Sequence, residues 1–207
     1  MLVHHRRRAP RPGPARPWRQ RGVALVEAAF VTPVFFMLIF GIVEVGLAMN
    51  DNLALAHSVR AGSRMASASG NEAYADYGLL RAIAREGSAI PRDQVERIVV
   101  YEATGPGALP TVGCRDGSPS SVAGNACNVY TPADFDRPRT DFGCLPDKDT
   151  DRFFCPSDRN IVLTKTTGPD YVGVWMKVEH PWVTRMFGST LTLTDSSVIQ
   201  LEPRERA

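Results

Sequence analysis

No aspartate or glutamate occurs before residue 27, and no charge of either sign lies between Ala28 and Val43. The first absence leaves Arg6, Arg7, Arg8, Arg11, Arg16, Arg19 and Arg21 unopposed in a leader that also holds Pro10, Pro12, Pro14 and Pro17. Those prolines exclude a regular helix. Without the seven arginines the chain is net acidic, so no basic folded face remains to track phosphates and nucleic-acid binding is set aside. The second absence leaves a run too apolar for water.

Histidine is scarce as well: beyond the leader only His57 and His180 occur. A hydrolytic site needs a nucleophile, a base and a group that orients the base. His57 lies in a helical pattern and His180 at a strand end before Pro181, which gives them the reading of ordinary surface or interface residues. The four cysteines form no Cys-x-x-Cys pair, which argues against zinc. Asp147, Asp149 and Asp151 alternate as in a calcium loop, but the central glycine and closing glutamate are missing. There is no glycine-rich phosphate loop. The expectation is a protein with no catalysis, no metal, no cofactor and no small-molecule substrate.

What is present begins with the run from Val23 to Met49, interrupted by Glu27, Pro33 and Glu44. As a helix it would extend about 40 Å, enough to cross about 30 Å of hydrocarbon. A soluble alternative would require the remaining chain to enclose a helix apolar on every side, and that remainder is too polar. A secreted protein cut at Leu53–Ala56 fits poorly, because the preceding apolar stretch is about twice the length of a signal-peptide core. The arginines before the span place residues 1–22 in the cytoplasm and the chain after about residue 50 outside. That side is oxidising, so Cys114, Cys127, Cys144 and Cys155 are expected to form two disulfides. Sequential pairing closes the two shortest loops and is one of three possible connectivities.

The helical pattern continues from the span as a stalk to about residue 70, with Gly70-Asn71 as its stop. Gly41 and Gly46 suit close packing in lipid, and Pro33 is expected to free the carbonyl near Ala29 and bend the helix. A second, amphipathic helix is expected over 71–87 and a strand over 94–103. Residues 111–158 hold all four cysteines and little periodicity, and read as a loop tied by disulfides. Strands follow over 160–167, 171–180 and 190–202, the last with a bulge or an end near Thr194, where Asp195 and Ser197 break the apolar face. The fold class is α+β, with a small antiparallel sheet in an extracytoplasmic domain over 71–207.

The segments RGVALVEAAFVTPVFF, GIVEVG and ALAHSVRAGSRMA resemble the TadE-like family over about residues 19–66. These are minor pilin-like proteins of the tight-adherence (Tad, or Flp) pilus machinery. The resemblance implies a pilin-like fold and a prepilin-peptidase cut between Gly22 and Val23. Glu27 then becomes the fifth residue of the mature chain and an assembly carboxylate for the new amino terminus of a neighbour. The implied partners are the membrane, the peptidase, other pilin or pseudopilin subunits and Tad-type assembly proteins. The implied location is the inner (cytoplasmic) membrane.

Physical chemistry adds its own reason for a partner. An acid at the bilayer centre is penalised by about 2.5–3.5 kcal/mol on insertion scales, and an opposite charge or nearness to the interface reduces that. Glu27 lies about 6 Å along the helix from Val23, and Glu44 about 31 Å along, where it is expected to reach water. In an uncleaved chain Glu27 would be a tolerated interfacial acid, and the alternative function is a permanently anchored extracellular binding or adhesion protein.

Overall fold

A computed structural model describes residues 18–163 and 168–203 of the 207-residue chain. The arginines of the leader up to Arg16 fall outside the described residues, and so do the side chains of Arg19 and Arg21. Helix α1 spans Trp18–Ser69 and continues through Pro33. The chain divides into two units, Met1–Val43 and Glu44–Ala207.

Within the first unit, the helix from residue 22 onward is exposed at nearly every position, from Val23 at 59% to Val43 at 53%. Apolar side chains with no protein around them are stable only in a nonpolar solvent, and this stretch has the length and composition to cross a bilayer. Among the described residues it belongs to the one helix with those properties.

The second unit is α+β. After α1 come α2 (Ala75–Glu86), β1 (Val95–Ala103), the one-turn helix α3 (Val112–Arg115), β2 (Cys127–Tyr130), β3 (Tyr171–Pro181) and β4 (Thr190–Gln200). The strands form one antiparallel sheet in the order β2-β1-β3-β4. Helix α1 stops at Gly70, whose φ of +58° is open to glycine and whose N–H returns to the Ala66 carbonyl at 3.0 Å.

The core lies between the helices and one sheet face. Leu55, Val59 and Ala66 of α1 and Leu79, Leu80 and Ile83 of α2 meet Ile98, Val100, Val172, Val174, Met176 and Val178. Burying each of the larger aliphatic side chains stabilises the fold by about 1.5–3 kcal/mol. Gly62 permits the two helices to approach, since a Cβ there would fall 2.8 Å from Ile83 Cγ1. Ser63 and Ser67, one turn apart, donate to the Ser197 and Gln200 carbonyls and fasten α1 to the edge strand β4.

Strand β1 departs from simple alternation. A register shift between Val95 and Arg97 lets Val95 share the helix-side core with Ile98 and Val100. Val99, Tyr101 and Ala103 point to the opposite face and pack with Trp175 beneath the Cys114–Cys127 disulfide. Both faces of the sheet are therefore buried at its centre.

Several expectations need correction. The cysteine-rich segment supplies β2, an edge strand of the sheet, as well as α3 and three short 3₁₀ turns. Its pattern was hard to read because CNVY is only four residues long and Asn128 is buried in a polar network. Residues 160–163 form no strand, and 164–167 lie outside the described residues. Asn160 instead pairs its backbone N–H with the Asp170 carboxylate at 2.7 Å. Strand β4 pairs with β3 from Thr190 to Gln200 with no shift at Thr194, because the sheet face that Asp195 and Ser197 occupy is only half covered. Helix α2 begins at Ala75, after a turn over the first residues of the expected span.

Candidate functional site

The residues expected to carry processing and assembly lie in the first unit. Gly22 is exposed, and a Cβ there would meet nothing within 4 Å. Val23 is exposed, and so is Glu27 one helical turn later. Among the described residues the Glu27 carboxylate has no hydrogen-bond or ion-pair partner. Gly22, Val23 and Glu27 are thus all exposed on one continuous helix. Pro33 and Gly41 occupy the same helix, with Pro33 exposed and Gly41 half-buried.

Glu44 contradicts its expectation. Its side chain is buried, at 1% exposure, and does not reach water. The carboxylate accepts hydrogen bonds from the backbone N–H groups of Val183, at 3.1 Å, and Thr184. Those two donors belong to the β3–β4 hairpin tip, residues 182–189, far away in sequence and therefore invisible to local patterning. A second polar link lies two turns along α1, where Asp51 Oδ2 sits 2.6 Å from His180 Nδ1. His180 is buried at the end of β3. Its Nδ1 is tied to a carboxylate, and its buried Nε2 has no hydrogen-bond partner among the described residues.

Farther along, His57, Arg60, Arg64, Arg85 and Glu86 line an open cleft of about 590 Å³ between α1 and α2. No cluster of three or more potential metal ligands occurs among the described residues. Asp151, one of the alternating acids, is buried and caps the loop: its two oxygens accept from the Gly143 N–H at 2.8 Å and the Cys144 N–H at 2.9 Å. Burial pushes its pKa up, partly countered by those two donors.

The disulfides join Cys114 to Cys127 and Cys144 to Cys155. In the chain-entropy picture each contributes about 3 kcal/mol by restricting the unfolded chain. The second one neighbours a buried network that sequence reading missed. Asp76 Oδ1 receives Arg159 Nη2 at 2.7 Å, while Asp76 Oδ2 accepts from Tyr130 Oη at 2.7 Å and Asn128 Nδ2 at 2.9 Å. Asn128 also bonds both the N–H and the carbonyl of Phe154. The first turn of α2, strand β2 and the cysteine-rich loop are thereby locked together. Burial and the Asp76 charge push the Tyr130 phenol well above its ordinary pKa.

Residues 22–64 match the family model described as TadE-like protein, in agreement with the resemblance carried by those residues. The matched segment runs from Gly22 through the apolar helix to Arg64, so it includes Glu27, Pro33, Glu44, Asp51 and two arginines of the cleft. No curated protein and no solved structure matches the chain. The matched segment holds the apolar stretch of the one helix, among the described residues, that is long and apolar enough to cross a membrane.

Proposed function

We propose that this chain is a non-enzymatic minor pilin or pseudopilin, a membrane-anchored component of a Tad-type pilus assembly or a related secretion apparatus. Prepilin peptidase removes the basic leader after Gly22. The mature protein begins at Val23, stays in the inner membrane with that terminus on the cytoplasmic side, and presents residues 44–207 outside. The observation that carries this reading is Glu27: a carboxylate without a partner among the described residues, in an exposed apolar helix, five residues into the mature chain and within the TadE-like segment.

Cleavage creates an ammonium group close to that acid. On a single helix the two are about 6 Å apart along the axis, and a parallel helix beside it can bring its own Val23 ammonium against Glu27. In hydrocarbon an ion pair of this kind relieves both charges at once, which favours association of helices. The exposed apolar faces then pack against one another or against other subunits.

N-terminal sequencing of the protein extracted from membranes that contain an active prepilin peptidase tests the reading. A mature terminus at Val23 is expected. An intact leader under those conditions would overturn the processing step and with it the main reason for assigning Glu27 to assembly, and would favour the permanently anchored adhesion module.

A further inference from the structure

We infer that the β3–β4 hairpin tip, residues 182–189, is a second membrane contact that seats Val183, Met186 and Phe187 in the lipid headgroup boundary of the leaflet where the apolar helix ends. The inference rests on the membrane-anchor part of the function proposed above and is independent of leader cleavage and of any pilus.

Glu44 fixes where the tip sits. It follows Val43, the last residue of a stretch from residue 22 that would span about 33 Å as a helix, close to the thickness of a bilayer's hydrocarbon. Its carboxylate is bonded to the N–H groups of Val183 and Thr184, so the tip lies at the point where the chain leaves the apolar layer. Those bonds are to the residue that directly follows the span in the chain.

The tip also has the composition of an interfacial segment. Val183 is 75% exposed and Phe187 55%, with Met186 also exposed, and Arg185 is the tip's one charged residue. Trp182 is half-buried, packing edge-on against His180 at 5.3 Å and against Phe187 at 5.3 Å. Tryptophan beside arginine and exposed apolar side chains is the pattern of a membrane–water boundary, where the guanidinium meets headgroup phosphates and the rings enter the acyl edge.

Five of the tip's eight backbone N–H groups have partners among the described residues. Trp182 N–H donates to the Ser189 carbonyl, Met186 N–H to Thr184 Oγ1 and Gly188 N–H to the Arg185 carbonyl. Val183 and Thr184 donate to Glu44. Donors satisfied within the protein can approach a water-poor layer without penalty, whereas unsatisfied ones are excluded from it. The same bonds explain the burial of Glu44, whose charge at the hydrocarbon edge is met by two backbone dipoles.

The test uses the full-length oxidised chain in vesicles of phosphatidylcholine and phosphatidylglycerol, with one cysteine introduced per variant and labelled with an environment-sensitive fluorophore. Phe187→Cys reports the tip, with Val183→Cys as a second position should the first variant misfold. Val122→Cys, exposed on the cysteine-rich segment, is the aqueous control, and Phe35→Cys reports the span. The tip label is expected to be quenched by lipids bearing a nitroxide near the headgroup. Its quenching by iodide should be about threefold weaker than at residue 122. Iodide quenching equal to that of residue 122 overturns the inference while leaving the anchor intact if residue 35 remains in lipid. Loss of lipid quenching at residue 35 as well removes both. Protection of the tip that disappears on dilution of protein in lipid would also overturn it, assigning the tip to a second copy of the chain.

Discussion

The ring of Tyr101 covers Gly173 so closely that a Cβ at residue 173 would lie 2.1 Å from Tyr101 Cζ. The two residues are directly opposite in the β1–β3 pair, and the phenol reaches onward to donate to the Ala108 carbonyl at 2.6 Å. Glycine in the middle of a strand is here the seat of an aromatic ring, and the ring in turn supports the Cys114–Cys127 loop above it. Burial raises the phenol to a pKa of about 12, so it remains a donor at any physiological pH.

Gly173→Ala is therefore expected to destabilise the outer domain by about 3 kcal/mol, the upper part of the range for an overpacked core. The ring can escape only by giving up its bond to Ala108. Urea unfolding of the detergent-solubilised protein, followed by tryptophan emission, measures the loss. In a Tyr101→Leu background the same substitution should be much less harmful; an equal loss in both backgrounds would show that the ring is not the obstacle.

Asp76 and Arg159 form an ion pair in which both side chains are fully buried. Removing one member leaves an uncompensated charge, which typically destabilises by about 3–5 kcal/mol. Asp76→Ala also strips the acceptor from Tyr130 and Asn128, so the upper end is expected. Replacing the pair together, Asp76→Leu with Arg159→Met, should be less damaging than Asp76→Ala alone. Chemical denaturation of the three variants checks the order, and a double variant at least as unstable as the single one would contradict it.

The legible part of this molecule was the part written in local periodicity. The membrane-length run, the stalk, the amphipathic α2 and the long strands β1, β3 and β4 all carry their period in consecutive residues. The obscure part depends on partners distant in sequence. Asp76 meets Arg159 across 83 residues, His180 meets Asp51 across 129, and Glu44 meets Val183 across 139. The height of Glu44 along the helix, which local sequence gives, points to water, whereas the hairpin that covers it lies 139 residues away. Pro181 marks a strand end there, but nothing in the segment that follows it names the acid it binds.

Asp151 gives a pH test. Its folded pKa is raised above the ordinary value of 3.8, mainly by burial. A raised carboxyl pKa means that the folded state holds the proton more tightly than the unfolded chain. The associated stability is fully present below 3.8 and is lost as pH climbs through the folded pKa. Asp151→Asn stays neutral and lacks this dependence. The stability difference, wild type minus Asp151→Asn, should therefore fall as pH is raised from 3.8, measured by urea midpoints in a pH series. A difference that grows with pH would mean that the Gly143 and Cys144 donors outweigh desolvation.

Glu27 separates anchoring from assembly. Replacing the carboxylate with an amide, Glu27→Gln, keeps the size and hydrogen-bonding reach but removes the charge that would meet a Val23 ammonium. Insertion should be unaffected or slightly favoured, because a neutral side chain enters hydrocarbon more readily than an ion. Recruitment into the assembly should fall by about tenfold, equivalent to roughly 1.4 kcal/mol of lost pairing. The two quantities are measured on the same cells: carbonate-resistant membrane protein for insertion, and co-purification with crosslinked neighbouring subunits for recruitment. Equal recruitment of wild type and Glu27→Gln would remove the acid from assembly. A parallel loss of insertion would instead make it part of the anchor. Because the side chain is exposed and has no partner among the described residues, a selective loss of recruitment has no explanation in the contacts described within the monomer.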